Sequence, residues 1–177
     1  ECARYNKIMN FVYAASSSCY GLAKVPTNEN HKIDIQYPYA LSKYLGECAV
    51  LHWGKVYGLK TNSIRIFNAF GTRSRTSGAY GAVFGVFLKQ KLANKPLTIV
   101  GDGNQKRDFL YVTDVCNAFY KVYKSKCKNE VFNLGAGKPQ SVNKLVQLLN
   151  VKDVIYIPKR PGEPNCTWAN IAKIKKK

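Results

Sequence analysis

Tyr39 and Lys43 stand four residues apart in Tyr37-Pro38-Tyr39-Ala40-Leu41-Ser42-Lys43, at the start of a long helical pattern. On a helix, positions i and i+4 share one face about a turn apart, so the phenol and the ammonium can enter the same space. A free phenol titrates near ~10. A neighbouring cation favours its ionised form, which a tyrosine needs if it is to act as a base near neutral pH. Any amphipathic helix with an exposed lysine shows the same short pattern, so the pair takes its meaning from its surroundings. Upstream, Ser16-Ser17-Ser18 follows an apolar run at 9–15. Hydroxyls at the carboxyl end of a buried strand stand where α/β sheets place ligands, although serines also serve there simply as loop formers.

The elements that would position these side chains follow from pattern. Residues 1–8 read as the last turns of a helix, and 9–15 (Met-Asn-Phe-Val-Tyr-Ala-Ala) as a buried parallel strand. A polar loop over 22–36 is long enough to suggest a functional surface. It leads to a helix over 39–57 with an apolar stripe of Leu41, Leu45, Ala49, Val50, Trp53 and Val56, ended by Gly58. Residues 61–70 read as the next strand, closed by Gly71, which completes a parallel βαβ unit. Beyond it the pattern gives a helix over 80–92, a strand over 97–100 and a turn at 101–104. A helix to about Tyr123 follows, capped by Thr113 or Asp114. Then come a strand over 131–134, a helix from the Ser141 cap to Leu149, a strand over 154–157 and a terminal helix from near Trp168. Gly135-Ala136-Gly137 follows a strand, but Gln140 replaces the third glycine of a dinucleotide fingerprint and no Walker lysine follows. It reads as a structural turn.

Composition narrows the class. A chain of 177 residues, 46% hydrophobic and without low-complexity tracts, is globular outside its lysine-rich end. No apolar run reaches the ~18 residues of a membrane span and no signal-peptide pattern opens the sequence, so a cytoplasmic protein without membrane contact is expected. Six dispersed cysteines and two histidines contain no Cys-x-x-Cys pair, which argues for reduced thiols and against zinc. The net charge of +18 invites a polyanion. Yet the lysines are scattered except for Lys173, Lys175, Lys176 and Lys177, and aromatics are not interleaved with them. A small phosphate-bearing ligand is therefore favoured over nucleic acid.

Five segments in order, Ala14-Ala15-Ser16-Ser17-Ser18-Cys19-Tyr20-Gly21, Tyr39-x-x-x-Lys43, Arg65-Ile66-Phe67-Asn68, Arg107-Asp108-Phe109 and Arg160-Pro161-Gly162-Glu163, resemble the extended short-chain dehydrogenase/reductase family. Within it they look most like nucleotide-sugar 4-epimerases. The resemblance covers essentially the whole chain. It implies an α/β fold, with the C-terminal part of a Rossmann-like parallel sheet (1–71 and 107–134) and a smaller α/β substrate-binding domain (72–106 and 135–177). Family members open with a Gly-x-x-Gly-x-x-Gly segment that holds the NAD pyrophosphate, and this sequence lacks it. The resemblance places residue 1 in the helix before the fifth strand of the sheet, so the chain is expected to be the C-terminal part of such an enzyme.

The activity so implied is NAD-dependent 4-epimerisation of a UDP-sugar through transient oxidation at carbon 4. In that likeness Tyr39 is the base, Lys43 lowers its pKa and holds the nicotinamide ribose, Ser16 hydrogen-bonds the same sugar oxygen, and Ile66 joins Tyr39 and Lys43 at the cofactor. Ser17 and Ser18, on the substrate side, replace the Asp-Glu that sugar 4,6-dehydratases use to eliminate water. Asn68, Arg107 and Arg160 fall at the diphosphate, where a planar guanidinium suits phosphate oxygens, and Glu163 falls near the ribose. Taken alone, Arg107 reads as the partner of Asp108 and Arg160 as a solvated charge, and the shared motif context reverses both readings. Thr167 occupies a position where a bulky tyrosine excludes N-acetylated sugars, so UDP-N-acetylhexosamines are expected beside UDP-hexoses. A homodimer through the Tyr-x-x-x-Lys helix is implied, and no metal. The competing readings are a UDP-uronate 4-epimerase or decarboxylase on the same scaffold, an inactive fragment, and a non-catalytic basic protein that binds nucleic acid.

Overall fold

The computed structural model describes residues 1–76, 83–159 and 162–177. In chain order its elements are α1 (Cys2–Tyr5), β1 (Asn10–Ser16), a 3-10 turn (Ser17–Tyr20), α2 (Pro38–Tyr57), β2 (Lys60–Ile66) and β3 (Ala69–Phe70). They continue with α3 (Val83–Leu92), β4 (Leu97–Val100), β5 (Lys106–Arg107), β6 (Leu110–Tyr111) and α4 (Val112–Lys124). The last are β7 (Glu130–Leu134), β8 (Gln140–Ser141), α5 (Val142–Leu149), β9 (Val154–Ile157) and α6 (Ala172–Lys175). The class is α/β with parallel sheets, as the sequence led us to expect.

The main sheet has the order β1-β2-β7 with both pairings parallel. Because side chains alternate across a strand, β2 offers Ile64 to one face and Ser63 and Arg65 to the other. Ile64 packs with Phe132, Val115 and Val122, so the amphipathic α4 covers that face. The opposite face receives α2, and what α2 buries there is Ala40, Glu47 and Gly54. A Cβ at Gly46 would overlap the Tyr13 hydroxyl, and one at Gly54 the Thr61 hydroxyl, so glycine is what lets the helix backbone approach the strands. The apolar stripe legible in the sequence points largely elsewhere. Leu41, Leu45 and Val56 are 44%, 56% and 55% exposed.

What docks α2 is polar. The Arg65 guanidinium donates to both Glu47 oxygens, at 3.1 Å from Nε and 2.5 Å from Nη2, and Ser63 Oγ donates to Glu47 Oε2 at 2.8 Å. The ion pair is nearly enclosed, with side chains 6% and 3% exposed. Arg65 Nη1 donates to Tyr20 OH at 2.7 Å, and Tyr20 OH donates in turn to Asn133 Oδ1 at 2.7 Å. Burial pushes the Tyr20 phenol up to about 12, against the opposing pull of Arg65, and it likewise pushes the neighbouring Cys19 thiol up to about 11. All six cysteines are free.

A second cluster, Phe87, Leu97, Ile99, Val142 and Leu145, joins α3, β4 and α5, with β4 and β9 paired in parallel. Residues 97–100 and 154–157 form the strands anticipated, and Ser141 Oγ accepts the Lys144 N–H at 3.1 Å as the cap of α5. Three expectations need correction. The run 61–70 is not one strand. After β2, Phe67 N–H still reaches Leu134 O, but Asn68 O accepts Leu110 N–H and β3 pairs with β6 instead. Neither Thr113 nor Asp114 caps α4, because Tyr111 is the N-cap residue without a side-chain bond, while Asp114 lies in the first turn, where it favours the helix dipole. No helix begins at Trp168, since Trp168 O and Asn170 N–H bond Thr27 in extended geometry and only α6 is helical. This last segment returns to the main sheet, where Ala169 packs with Cys19, Tyr20 and Phe67. The helix expected over 80–92 is α3 from Val83 onward, since 77–82 lie outside the described residues. Among the described residues, no helix is long and apolar enough to cross a membrane.

Replacing Glu47 with Ala leaves the Arg65 guanidinium enclosed without its carboxylate. We expect a loss of about 3–5 kcal/mol in urea unfolding. The paired replacement Glu47→Leu with Arg65→Met, which removes both charges, is expected to lose less than the single variant. A single-variant loss below about 1 kcal/mol would place the docking of α2 elsewhere.

Candidate active site

Pro38 begins α2 immediately after the extended Tyr37, which puts Tyr39 in its first turn. Tyr39 is 38% exposed. One turn on, Lys43 Nζ donates to Ala14 O at 3.0 Å, at the carboxyl end of β1 and two residues before Ser16. The ammonium also lies 5.8 Å from the centroid of the Tyr13 ring, within cation–π range. Tyr13 was not singled out in the sequence. Burial raises its phenol pKa, and the charges of Glu47 and Tyr39 raise it further, which places it electrically beside the pair. Its position in β1, facing α2, was the available signal.

Ser16 Oγ accepts the Ser18 N–H at 3.2 Å, which starts the 3-10 turn and leaves the serine proton to donate. Ser17 is half-buried in that turn, and Ser18 Oγ is buried without a partner among the described residues. Ile66, the last residue of β2, is the register partner of both Ser16 and Leu134. Ser16, Ile66 and the Lys43 anchor thus share the carboxyl edge of the sheet, the end at which parallel α/β sheets take ligands.

A second group gathers where β2 ends. Thr167 Oγ1 donates to Asn68 Oδ1 at 2.7 Å and accepts the Asp108 N–H at 3.4 Å. Arg107 is nearly buried and does not pair with Asp108. Its Nη2 donates to Glu163 Oε1 at 2.7 Å and its Nη1 to Pro164 O at 2.9 Å. The other carboxylate oxygen, Glu163 Oε2, is buried with no partner among the described residues. Glu163 also lines a cleft of about 340 Å³ with Gly101, Asp102, Asn104, Gln105 and Lys159. Arg160 lies outside the described residues.

Asp108 is fully buried and serves a different purpose. Its Oδ1 accepts N–H bonds from Ala136 at 2.9 Å and Gly137 at 3.0 Å, and its Oδ2 accepts one from Ala169 at 2.9 Å. Gly137 has φ +73°, and a Cβ on Gly135 would stand 2.6 Å from Asp108 Oδ2. The glycine turn is therefore an anion-holding nest whose anion is the chain's own carboxylate rather than a phosphate. That is the physical content of the structural turn expected there.

A parallel sheet with a serine and a Tyr-x-x-x-Lys helix at its carboxyl edge defines an extended short-chain dehydrogenase/reductase scaffold. Residues 1–135 match the model of the NAD dependent epimerase/dehydratase family, and the chain belongs to that family. It is 36% identical over 180 residues to a putative UDP-glucose 4-epimerase of Methanocaldococcus jannaschii, covering 98% of this chain and 58% of that relative. It superposes with a TM-score of 0.91 on the UDP-N-acetylglucosamine 4-epimerase of Methanobrevibacter ruminantium in complex with UDP-N-acetylmuramic acid, at 30% identity and over 98% of this chain and 58% of that one. The TM-score is 0.87 with the UDP-glucuronic acid 4-epimerase of Bacillus cereus bound to UDP-glucuronic acid and NAD, at 29% identity and over 98% and 56% of the two chains. The chain spans little more than half the length of these relatives.

Asp108→Ala would leave the Ala136, Gly137 and Ala169 amides buried and unpartnered, at about 1–3 kcal/mol each. We expect a clear drop in thermal midpoint, and a smaller one for Asp108→Asn, which keeps an acceptor oxygen. A midpoint for Asp108→Ala equal to the parent's would refute the nest.

Proposed function

We propose that this chain carries the proton-transfer and substrate-binding residues of an NAD-dependent UDP-sugar 4-epimerase. The observation that carries the reading is the Lys43 ammonium held on Ala14 O, which fixes the tyrosine–lysine pair against the strand that ends in Ser16. The nicotinamide end of the dinucleotide fits this arrangement, because an ammonium has three N–H donors and Ala14 takes one. Lys43 is the residue that would hold the nicotinamide ribose, with Tyr39 and Ile66 beside it. When bound, the dinucleotide supplies reversible hydride acceptance at sugar carbon 4.

The chain's own residues handle the proton. Tyr39, one turn before Lys43 on α2, takes the proton of the 4-hydroxyl. Ser16 donates its remaining O–H to the same oxygen, since its lone pair already faces Ser18 N–H. After the sugar has presented its other face, Tyr39 returns the proton to that oxygen and restores the 4-hydroxyl. Ser17 and Ser18 provide no carboxylate pair, so elimination of water is not supported. We assign Asn68, Arg107 and Arg160 to the diphosphate and Glu163 to the ribose hydroxyls, for which its unpartnered Oε2 is the acceptor. The small side chain of Thr167 supports turnover of UDP-N-acetylhexosamines as well as UDP-hexoses.

We also assign the outward stripe Leu41, Leu45 and Val56 of α2 to a homodimer face, because exposed leucines at helical spacing gain by burial against a second copy. Sedimentation equilibrium of the chain is expected to show a dimer that Leu45→Glu dissociates. A monomeric parent would remove this assignment and leave the chemistry untouched.

Calorimetric titration of the chain with UDP-GlcNAc and with UDP-glucose tests the main reading. Saturable binding of both, weakened by Glu163→Gln, is expected. Absence of binding by either nucleotide sugar would overturn it, and binding of UDP-glucose alone would overturn the assignment of N-acetylhexosamines.

A further inference from the structure

We infer that Thr167 is a positioning residue whose hydroxyl fixes Asn68 as an N–H donor toward a ligand's diphosphate oxygens, a role distinct from the size of its side chain. The inference rests on the UDP-sugar reading above. A carboxamide has a donor end and an acceptor end, exchanged by a half-turn of the side chain, and the end that faces a ligand decides what it can recognise. The Thr167 hydroxyl receives the Asp108 N–H, which leaves its own proton to give, and Asn68 Oδ1 at 2.7 Å takes it. The acceptor end of Asn68 is thereby occupied inside the protein. Asn68 is half-buried, its Nδ2 bonds none of the described residues, and it is not among the enclosed unpartnered atoms as Glu163 Oε2 is.

The support behind this relay is rigid. Asn68 O is tied to Leu110 N–H at 3.1 Å, and Thr167 N–H to Lys106 O at 3.0 Å. Asp108 is held by the backbone amides of Ala136, Gly137 and Ala169. A phosphate oxygen only accepts hydrogen bonds, so an amide turned the other way would set its carbonyl oxygen against the anion. The orientation set by Thr167 is the one that suits an anionic oxygen, and it adds one donor to the two N–H groups that Arg107 has left after bonding Lys106 O, Pro164 O and Glu163.

The test uses UDP and the full chain. Thr167→Val keeps the shape and removes the hydroxyl, whereas Thr167→Ser keeps the hydroxyl and removes the methyl. We expect Thr167→Val to weaken UDP binding about 10- to 100-fold, the loss of one donor to a charged acceptor, and Thr167→Ser to stay within about 2-fold of the parent. Asn68→Ala should weaken binding similarly, and adding Thr167→Val to it should change little, because the two act through one bond. In the parent, the Asn68 carboxamide protons should shift on UDP addition in 15N-edited spectra, a readout that needs no variant. Unshifted Asn68 protons, parent-like binding by Thr167→Val, additive losses, or equal losses for Val and Ser would each overturn the inference while leaving the UDP-sugar reading standing. No UDP binding by the parent would overturn both.

Discussion

The enclosed ion pair between Glu47 and Arg65 fixes where the helix of Tyr39 and Lys43 lies on the sheet. Apolar helix faces tolerate sliding, because one methyl group replaces another at little loss. A buried carboxylate does not, since a shift of one residue would strand two charges away from water. Glu47 sits one turn beyond Lys43 and two beyond Tyr39, so its register sets theirs. The same guanidinium holds Tyr20 and, through it, Asn133 on β7, while the Asn133 N–H reaches Glu29 Oε1 at 2.9 Å in the long loop. Strand, loop, helix and 3-10 turn are thereby referred to one point, and Ser16, at the head of that turn, inherits the constraint.

Asp108 plays the corresponding part for the second group of residues. Its carboxylate makes no ion pair among the described residues and is satisfied by backbone N–H groups from two distant segments, the turn after β7 and the return segment at Ala169. The Asp108 backbone N–H donates to the Thr167 hydroxyl, and that hydroxyl donates to Asn68 Oδ1. Each candidate cluster thus consists of groups, exposed or half-buried except for Arg107, suspended from a buried acid. That division explains how side chains from β1, α2, β2, the 107–110 stretch and the 163–169 stretch keep their mutual geometry although they come from separate elements.

Where local pattern alone decides structure, the sequence was a good guide. β4, β9, the Ser141 cap and the Gly58 terminus of α2 fall where alternation, side-chain capping and glycine place them. Where a distant partner decides, it was not. Trp168 opens an apolar stretch that reads as helix, yet Thr27 takes its carbonyl and Asp108 the next amide. Residues 61–70 read as one strand, yet the third strand of the sheet ends at Leu134 and Leu110 draws the chain aside at Asn68. The stripe of α2 was visible but its facing was not, because a helix that buries an ion pair can leave its leucines outside. In the candidate site, the Tyr39–Lys43 pair stood out through its spacing, and Ser16 through its place after a buried strand and the family resemblance. Tyr13 was hidden because a tyrosine in a β-rich run looks like ordinary strand composition.

The charge balance of the chain follows from the same interior. Of its few acids, Glu47 and Asp108 are buried and Glu163 is engaged by Arg107, so the surface keeps less negative charge than the composition suggests. The lysines are left to dominate it, some of them tied to carbonyls, as Lys91 is to Leu149 O at the end of α5 and Lys173 to Val131 O. Such a field draws an anion near, but it decays over a Debye length of ~8 Å at physiological salt and has no preferred orientation. Orientation has to come from short-range donors, the part we propose for Arg107, bonded to Glu163, and for Asn68, bonded to Thr167. Salt should therefore govern how often a phosphate-bearing ligand arrives, whereas the geometry it meets is set by bonds that salt does not reach.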